Sequence, residues 1–405
     1  MKTICILGRQ PDISIAELES LFGADAITVL NNESVALSVQ PNPELQDRLG
    51  GTQKIARLLT VIPDRGWDDL EQHLKMTLPT ELQDMPDRKI HLGISLYGLH
   101  VKRQRLQKTS FVLKRALKES GKSVRIIPNK ALALSSAQVF HNNIVDENGA
   151  EIVICRDKET KQIYIAQTIA VQNIDAYTAR DQQRPKRDAK VGMLPPKLAQ
   201  IIINLAVDQS PVASRQSSSK QGGATVTILD PFCGTGVILQ EALLMGLTPY
   251  GTDLEPRMIE YSKANLSWLD KNAAKQIPLE VADATKHDWQ PFDVIATETY
   301  LGQPFSSLPK PEKLQEVIRY ADTIHKKFLQ NVARQTKPDV QLCIAVPAWF
   351  DGVRFHRLPI LDHLEKLGYN RTSFVHADNS KLIYHRKGQI VGRELVVLTR
   401  TQLAN

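Results

Sequence analysis

Three short apolar stretches each end in an aspartate: TVTILD stops at Asp230, TPYGTD at Asp253 and IPLEVAD at Asp283. Apolar runs of this length bounded by turn residues form buried strands, and a strand, Gly-rich turn, helix, strand succession builds a parallel sheet. Acids that finish successive parallel strands share the sheet edge where such folds bind ligands. The turn after the first strand is DPFCGTG, and the helix VILQEALLMG follows it. Gly234 and Gly236 let the backbone approach a ligand there, and the helix start offers free N–H groups and the positive end of its dipole. Asp253 lies seventeen residues beyond Gly236, a spacing suited to gripping ribose hydroxyls. A fourth stretch, DVIATETYLGQP, runs from Val294, Ile295 and Ala296 into Thr297, Glu298, Thr299, Tyr300 and then Gly302. It too puts a polar, partly aromatic cluster at a strand end.

The spacing narrows the ligand. A phosphate-cradling Walker loop needs Gly-Lys-Ser/Thr, which is missing, and no third glycine follows Gly236 at the dinucleotide spacing. Asp230 at the head of the turn would repel a pyrophosphate. It would attract the ammonium of S-adenosylmethionine, while Asp253 takes the ribose.

Several other elements must position these residues. GMLPPKLAQIIINLA opens the catalytic block: Pro195 and Pro196 suit a first helical turn, with Leu198, Ile201, Ile202 and Leu205 on one face. A helix over 312–334, the strand VQLCIAVPAWF, a helix over 358–367 and the antiparallel pair KLIYHR and ELVVLT close the sheet. Trp349, Phe350 and His356 follow a strand end and fit core packing better than a base pocket. Upstream, residues 1–65 read as a small α+β unit with strands TICILG and VALSVQ and a helix DISIAELESLFG, capped by Asp12 or Ser14 and stopped by Gly23. Residues 66–172 hold the strands KIHLGISLYG and KSVRIIP, a basic helix over 106–119, a short helix in ALSSAQVFHNNI and a closing hairpin. Residues 173–190 are a polar, basic linker, 191–405 form the catalytic block, and 208–224 within it have the composition of a flexible loop.

Charge is concentrated. Of the net +7, residues 102–130 carry ten Lys/Arg against Glu119 alone, or +9, which leaves about −2 for the remainder. Lys102, Arg103, Arg105, Lys108, Lys114, Arg115 and Arg125 are therefore expected to meet a polyanion. Four scattered cysteines and ten histidines without ligand spacing argue against a structural metal and fit a reducing cytoplasm. No apolar run approaches a membrane span.

DPFCGTG, GTDLEPRMIEYSKANL and VADAT resemble motifs of class I S-adenosylmethionine-dependent methyltransferases. ILGRQPDISIAELESLFG, LGGTQKIA, LSSAQVFHNNI, AYTARDQQRPKRDAKVGMLPPKLAQIIINLA and IVGREL extend the likeness to nearly the whole chain. Together they resemble the THUMP-containing tRNA guanine-N2-methyltransferases that modify position ten. The resemblance implies an α/β architecture. Its C-terminal Rossmann-like domain would have a mostly parallel seven-stranded sheet and an antiparallel closing hairpin, preceded by ferredoxin-like and THUMP modules that bind tRNA. It implies that Asp230, Phe232, Cys233, Gly234, Thr235 and Gly236 surround the methionine end, Asp253 and Leu254 the ribose, and Asp283 and Ala284 the adenine. Some members work with a small activating subunit.

The fourth strand departs from the family pattern. Methylating an exocyclic amine requires a flipped base, an aromatic ring to hold it and acceptors for the NH2 group, because the nitrogen lone pair is delocalised into the ring. Members of this type resemble one another in an acid or amide, two prolines and an aromatic at this strand end, and no proline stands here. Aligning Tyr300 with the aromatic leaves Thr297 at the acid position; aligning Glu298 with the acid leaves Leu301 at the aromatic position. We favour Glu298, with Thr297, Thr299 and Tyr300 around it. The expectation is N2-methylation of a tRNA guanosine. A tRNA-binding protein with altered or lost transfer, and a DNA amino-methyltransferase, are the competing readings.

Overall fold

The computed structural model describes residues 2–86, 88–188, 193–207, 225–305 and 307–402. The chain divides into one unit of residues 1–15 and 25–176 and a second of residues 16–24 and 177–405. The long segment of the second unit thus begins inside the stretch expected to be a linker. The expected flexible loop 208–224, and residues 189–192 where the linker was expected to meet the catalytic block, lie outside the described residues.

The first unit is built on an eight-stranded sheet. Its strands are β1 (Thr3–Leu7), β2 (Ile27–Asn31), β3 (Ser34–Leu37), β4 (Thr52–Pro63), β5 (Ile90–Tyr97), β6 (Val124–Ile126), β7 (Gly149–Arg156) and β8 (Gln162–Val171), in the order β2-β3-β1-β4-β8-β7-β5-β6. The twelve-residue β4, absent from the sequence expectation, pairs antiparallel with β1 on one side and β8 on the other. The two N-terminal pieces expected to part near residue 65 therefore share one sheet. Helix α1 (Pro11–Phe22) starts ahead of both expected caps, Asp12 and Ser14, because proline already has the φ of a first helical turn. Helix α2 (Trp67–Glu81) buries Leu70, Leu74 and Leu78, and α3 (Arg103–Glu119) buries Leu106, Leu113 and Leu117. Ser135 and Gln138 form a capping box on α4 (Ser136–His141).

Within this sheet Lys54 and Glu151 are both fully buried. The Lys54 ammonium donates to Glu151 and to the Leu134 carbonyl, the latter at 2.7 Å. The hydroxyls of Ser95 and Thr168 donate to the two Glu151 oxygens at 2.5 and 2.6 Å. Two charges taken out of water cost several kcal/mol each unless hydrogen bonds offset the loss. Here both Glu151 oxygens and two donors of Lys54 are engaged.

The second unit carries a nine-stranded sheet. Helix α5 (Pro196–Val207) precedes β9 (Thr227–Asp230), α6 (Val237–Leu244), β10 (Thr248–Asp253), α7 (Pro256–Leu269), β11 (Leu279–Val281), β12 (Val294–Glu298) and α8 (Pro311–Gln335). Then come β13 (Gln341–Phe350), β14 (Phe355–His356), β15 (Tyr369–Arg371), β16 (Ile383–Tyr384) and β17 (Val391–Arg400). The main path is β11-β10-β9-β12-β13-β17-β15, seven strands as expected, with the two-residue β14 and β16 attached to β13 and β17. Strands β9 to β13 run parallel, while β17 runs antiparallel to β13 and β15. Every residue of α5 from Leu198 to Val207 is buried, rather than only the one expected face. Residues 359–367 form 3-10 turns broken at His363 in place of the expected helix. No helix among the described residues is long and apolar enough to cross a membrane.

Removing one partner of the Lys54–Glu151 pair should cost far more than removing both. Lys54→Met is expected to lower the unfolding free energy by about 3–5 kcal/mol, and Lys54→Met with Glu151→Leu to recover most of it, as read by urea titration.

Candidate functional site

Connections leave β9 towards β10 and β11 on one side and towards β12 and β13 on the other. The sheet therefore opens a crevice at the C-terminal ends of β9 and β12. Asp230 ends β9 and Glu298 ends β12, so the topology delivers one acid from each side of the switch point.

Asp230 is only 2% exposed. Its Oδ1 accepts the Thr297 hydroxyl at 2.6 Å and the Phe232 N–H at 3.3 Å. Burial pushes its carboxyl up to about 8, and the charges of Asp253 and Glu298 act in the same direction. A buried acid with no basic side chain against it among the described residues is prepared to receive a cation.

The turn that follows is fixed in detail. Gly236 has a φ of 81°, and a Cβ there would stand 2.9 Å from the Ser262 hydroxyl. The Ser262 hydroxyl donates to the Gly234 carbonyl at 2.8 Å. Asn265, buried on α7, donates to the carbonyls of Thr235 and Lys186 at 2.8 and 2.9 Å and accepts the Lys186 N–H at 2.9 Å. One side chain thus ties the turn to the basic segment before the domain. Asp253 accepts the N–H groups of Gly234 and Glu255 at 2.8 and 2.9 Å, one on each oxygen. Its carboxyl is raised by burial against those two hydrogen bonds. For Asp283 burial pulls upward, but the Thr285 hydroxyl and N–H and nearby Lys286 outweigh it and hold the acid below its ordinary value. Leu254 is 63% exposed beside Asp253. Phe232 packs edge-on against Phe328 with centroids 5.1 Å apart. The side chains of Cys233 and Ala284 are buried, so these two residues brace the site from behind.

The fourth-strand cluster splits. Glu298 is half-buried and accepts from the Nε of Arg393 on β17, across the intervening strand β13. Burial raises its carboxyl, and Arg393 opposes that rise. Thr297 faces inward to orient Asp230. Thr299 also points into the core: its hydroxyl lies 2.6 Å from His325 Nε2 and 3.0 Å from the Ala345 carbonyl. Neither threonine stands as a substrate acceptor beside Glu298, because both hydroxyls are committed to buried partners. Tyr300 is half-buried and meets exposed Tyr320 edge-to-face at 6.1 Å. Gly302, at a φ of 84°, lies over Trp349: a Cβ would come within 3.3 Å of that ring. Trp349 is fully buried, as its core-packing expectation had it.

Arg393 was not singled out from the sequence. The signal was the adjacent Arg393–Glu394 in an otherwise apolar strand, where buried charges must find partners. Glu394 meets Arg357 and Arg371 at 3.2 and 2.9 Å. In the first unit Lys102, Arg103, Arg105, Lys108, Arg115 and Arg125 are exposed and Lys114 is half-buried. Arg105 pairs with Asp68 and Arg115 with Glu119, exposed contacts that solvent leaves weak.

Residues 223–370 match the model of a family described as a methyltransferase domain. A tRNA (guanine(10)-N2)-dimethyltransferase from Pyrococcus abyssi is 26% identical over 253 residues, which are 60% of this chain and 65% of that protein. One from Methanothermobacter thermautotrophicus is 31% identical over 161 residues, 40% of each chain. The chain therefore covers less than two thirds of either relative's length. The crystal structure of TrmN from Thermus thermophilus superposes with a TM-score of 0.53 at 15% identity, covering 98% of this chain and 99% of that one. The second unit has the Rossmann-like methyltransferase fold.

His325 gives the site a pH signature. Its Nδ1 donates to the Ala321 carbonyl at 2.7 Å, and its Nε2 lies against the Thr299 hydroxyl, which the Ala345 carbonyl also faces. Burial pushes its pKa down to about 4 from the ordinary 6.5. Stability from this residue is complete above pH 6.5 and is lost as pH falls towards 4, by up to about 3 kcal/mol. His325→Gln should flatten that part of the stability curve measured by denaturant titration.

Proposed function

We propose that this chain transfers a methyl group from S-adenosylmethionine to the exocyclic N2 of a flipped-out guanosine in tRNA. The observation that carries the reading is the buried, cation-free carboxyl of Asp230 at the switch point of a methyltransferase fold. The residues present fit the cofactor. Asp230 would hold the methionine ammonium, Asp253 has a lone pair left on each oxygen for ribose hydroxyls, and Asp283 would face the adenine amine. The cofactor supplies an electrophilic methyl on a sulfonium. The names of the two archaeal relatives support tRNA and guanine N2 as the acceptor.

The chain's own residues then act on the base. Arg393 occupies one oxygen of Glu298 and holds it in a fixed direction. The other oxygen accepts an N–H from the guanine amine, which turns the nitrogen lone pair towards the methyl group. Tyr300 and Tyr320 wall the pocket beyond it. The exposed basic side chains along α3 meet tRNA phosphates without reading sequence, in the role a ferredoxin-like and THUMP region would have. Residues 1–65 and 66–172 supply those two modules within one sheet, with 173–190 leading to the catalytic domain. We place the protein in the cytoplasm.

A second reading rests on the Glu298–Arg393 ion pair, which weakens the acid as an acceptor: a protein that binds cofactor and tRNA with altered transfer. Labelled S-adenosylmethionine, unmodified tRNA and the purified chain separate the two. The proposal expects N2-methylguanosine in the digested product, and binding without label in tRNA would overturn it. Glu298→Ala is expected to reduce turnover by about a hundredfold, the scale of lost orientation, with cofactor affinity unchanged.

The state of Asp230 predicts a pH dependence. Without cofactor its carboxyl is protonated up to about pH 8, so binding an ammonium requires releasing that proton. Burial holds the proton on, and the charges of Asp253 and Glu298 add to it. Cofactor affinity should rise about tenfold per pH unit below that value, and Asp230→Asn should bind weakly with no slope, as measured by calorimetry between pH 6 and 8.

A further inference from the structure

Beyond the catalytic edge, β13 ends at Phe350 and enters the turn Asp351–Arg354 before β14. Phe350, Phe355 and His385 form a corner of three rings with centroids 5.0 to 5.3 Å apart. Phe350 lies at 44° to Phe355 and 53° to His385, and the other two rings meet at 87°. Phe350 and His385 line a cavity of about 630 Å³ together with Leu308, Lys387, Gln389 and Ile390, and Gly352 and Gly388 open its rim. Neither glycine would bring a Cβ within 4 Å of anything. Lys387 and Asp351 also line the cavity, while Arg354 reaches Asp351 at 4.0 Å and Arg386 engages Tyr384. Asp351, the acid among them, is engaged with His356 at 2.7 Å and with the N–H groups of its own turn. Half-exposed rings beside a lysine and an open backbone suit a nucleotide: a base on the rings, its phosphate on the rim.

Position decides which nucleotide. Glu298 pairs with Ala345 of β13, and Phe350 lies five residues further along, roughly 16 Å at a strand's rise. A base held at Glu298 cannot also stack there. We propose that the Phe350–His385 corner is a stacking subsite for a nucleotide flanking the methylated one. It rests on the reading of the chain as an RNA methyltransferase, and its test does not need turnover.

The probe is guanosine 5′-monophosphate, with saturating S-adenosylhomocysteine filling the cofactor pocket. Saturation-transfer NMR on the full chain should show base protons in contact with the wild type. Phe350→Leu, which keeps apolar bulk without a ring, should weaken binding about tenfold, and Phe350→Trp should retain it. Equal binding by Phe350→Leu and wild type, or no binding by wild type, would overturn the subsite. If instead the rings receive a protein, Phe350→Leu would leave nucleotide binding unchanged, which also overturns it. A wild type that shows the ring-dependent contact yet transfers no methyl would refute the transferase reading and leave the subsite standing.

Discussion

The second unit depends on keeping one carboxylic acid out of water with no cation of its own. Asp230 ends β9 inside the crevice, and the cost of burying it appears as a carboxyl that stays protonated near neutral pH. Everything adjacent works to hold it there. Thr297 donates to it from β12, Phe232 donates from the turn, and Ser262 and Asn265 fix that turn from α7. An acid so placed is a standing bias towards a positive ligand, because an arriving ammonium offsets the desolvation that the fold alone leaves uncompensated.

Glu298 is solved differently. It is also shielded from water, but Arg393 reaches it across the sheet, so its charge is compensated in advance. The two strand-end acids thus sit in opposed electrostatic conditions only a strand apart: one waiting for a cation, the other directed by one. The missing prolines of the fourth-strand loop have a counterpart here. Where two prolines would stiffen the loop through the backbone, this chain anchors the strand end through side chains, with Thr299 on His325 and Gly302 seated on Trp349.

Much of this was legible in the sequence, for reasons that are local. The strand ends at Asp230 and Asp253, the turn glycines and α8 announce themselves through apolar runs, breakers and a long amphipathic period. Strand β11 stops at Val281, two residues before the expected end at Asp283. What escaped was set by pairing between distant strands. β4 carries polar and charged residues among its apolar ones, and its place between β1 and β8 follows from partners more than a hundred residues apart. The inward turn of Thr297 and Thr299 and the grip of Arg393 likewise depend on neighbours that no window of sequence contains. Lys54 shows the same limit: a lysine in the middle of a strand reads as exposed until Glu151, almost a hundred residues away, is found beside it.

Nucleoside mass spectrometry of bulk tRNA from cells with and without this gene tests the central claim most directly. The account predicts that total N2-methylated guanosine in tRNA falls when the gene is deleted and returns with the wild-type gene but not with the Asp230→Asn form. Unchanged N2-methylguanosine across all three would contradict it.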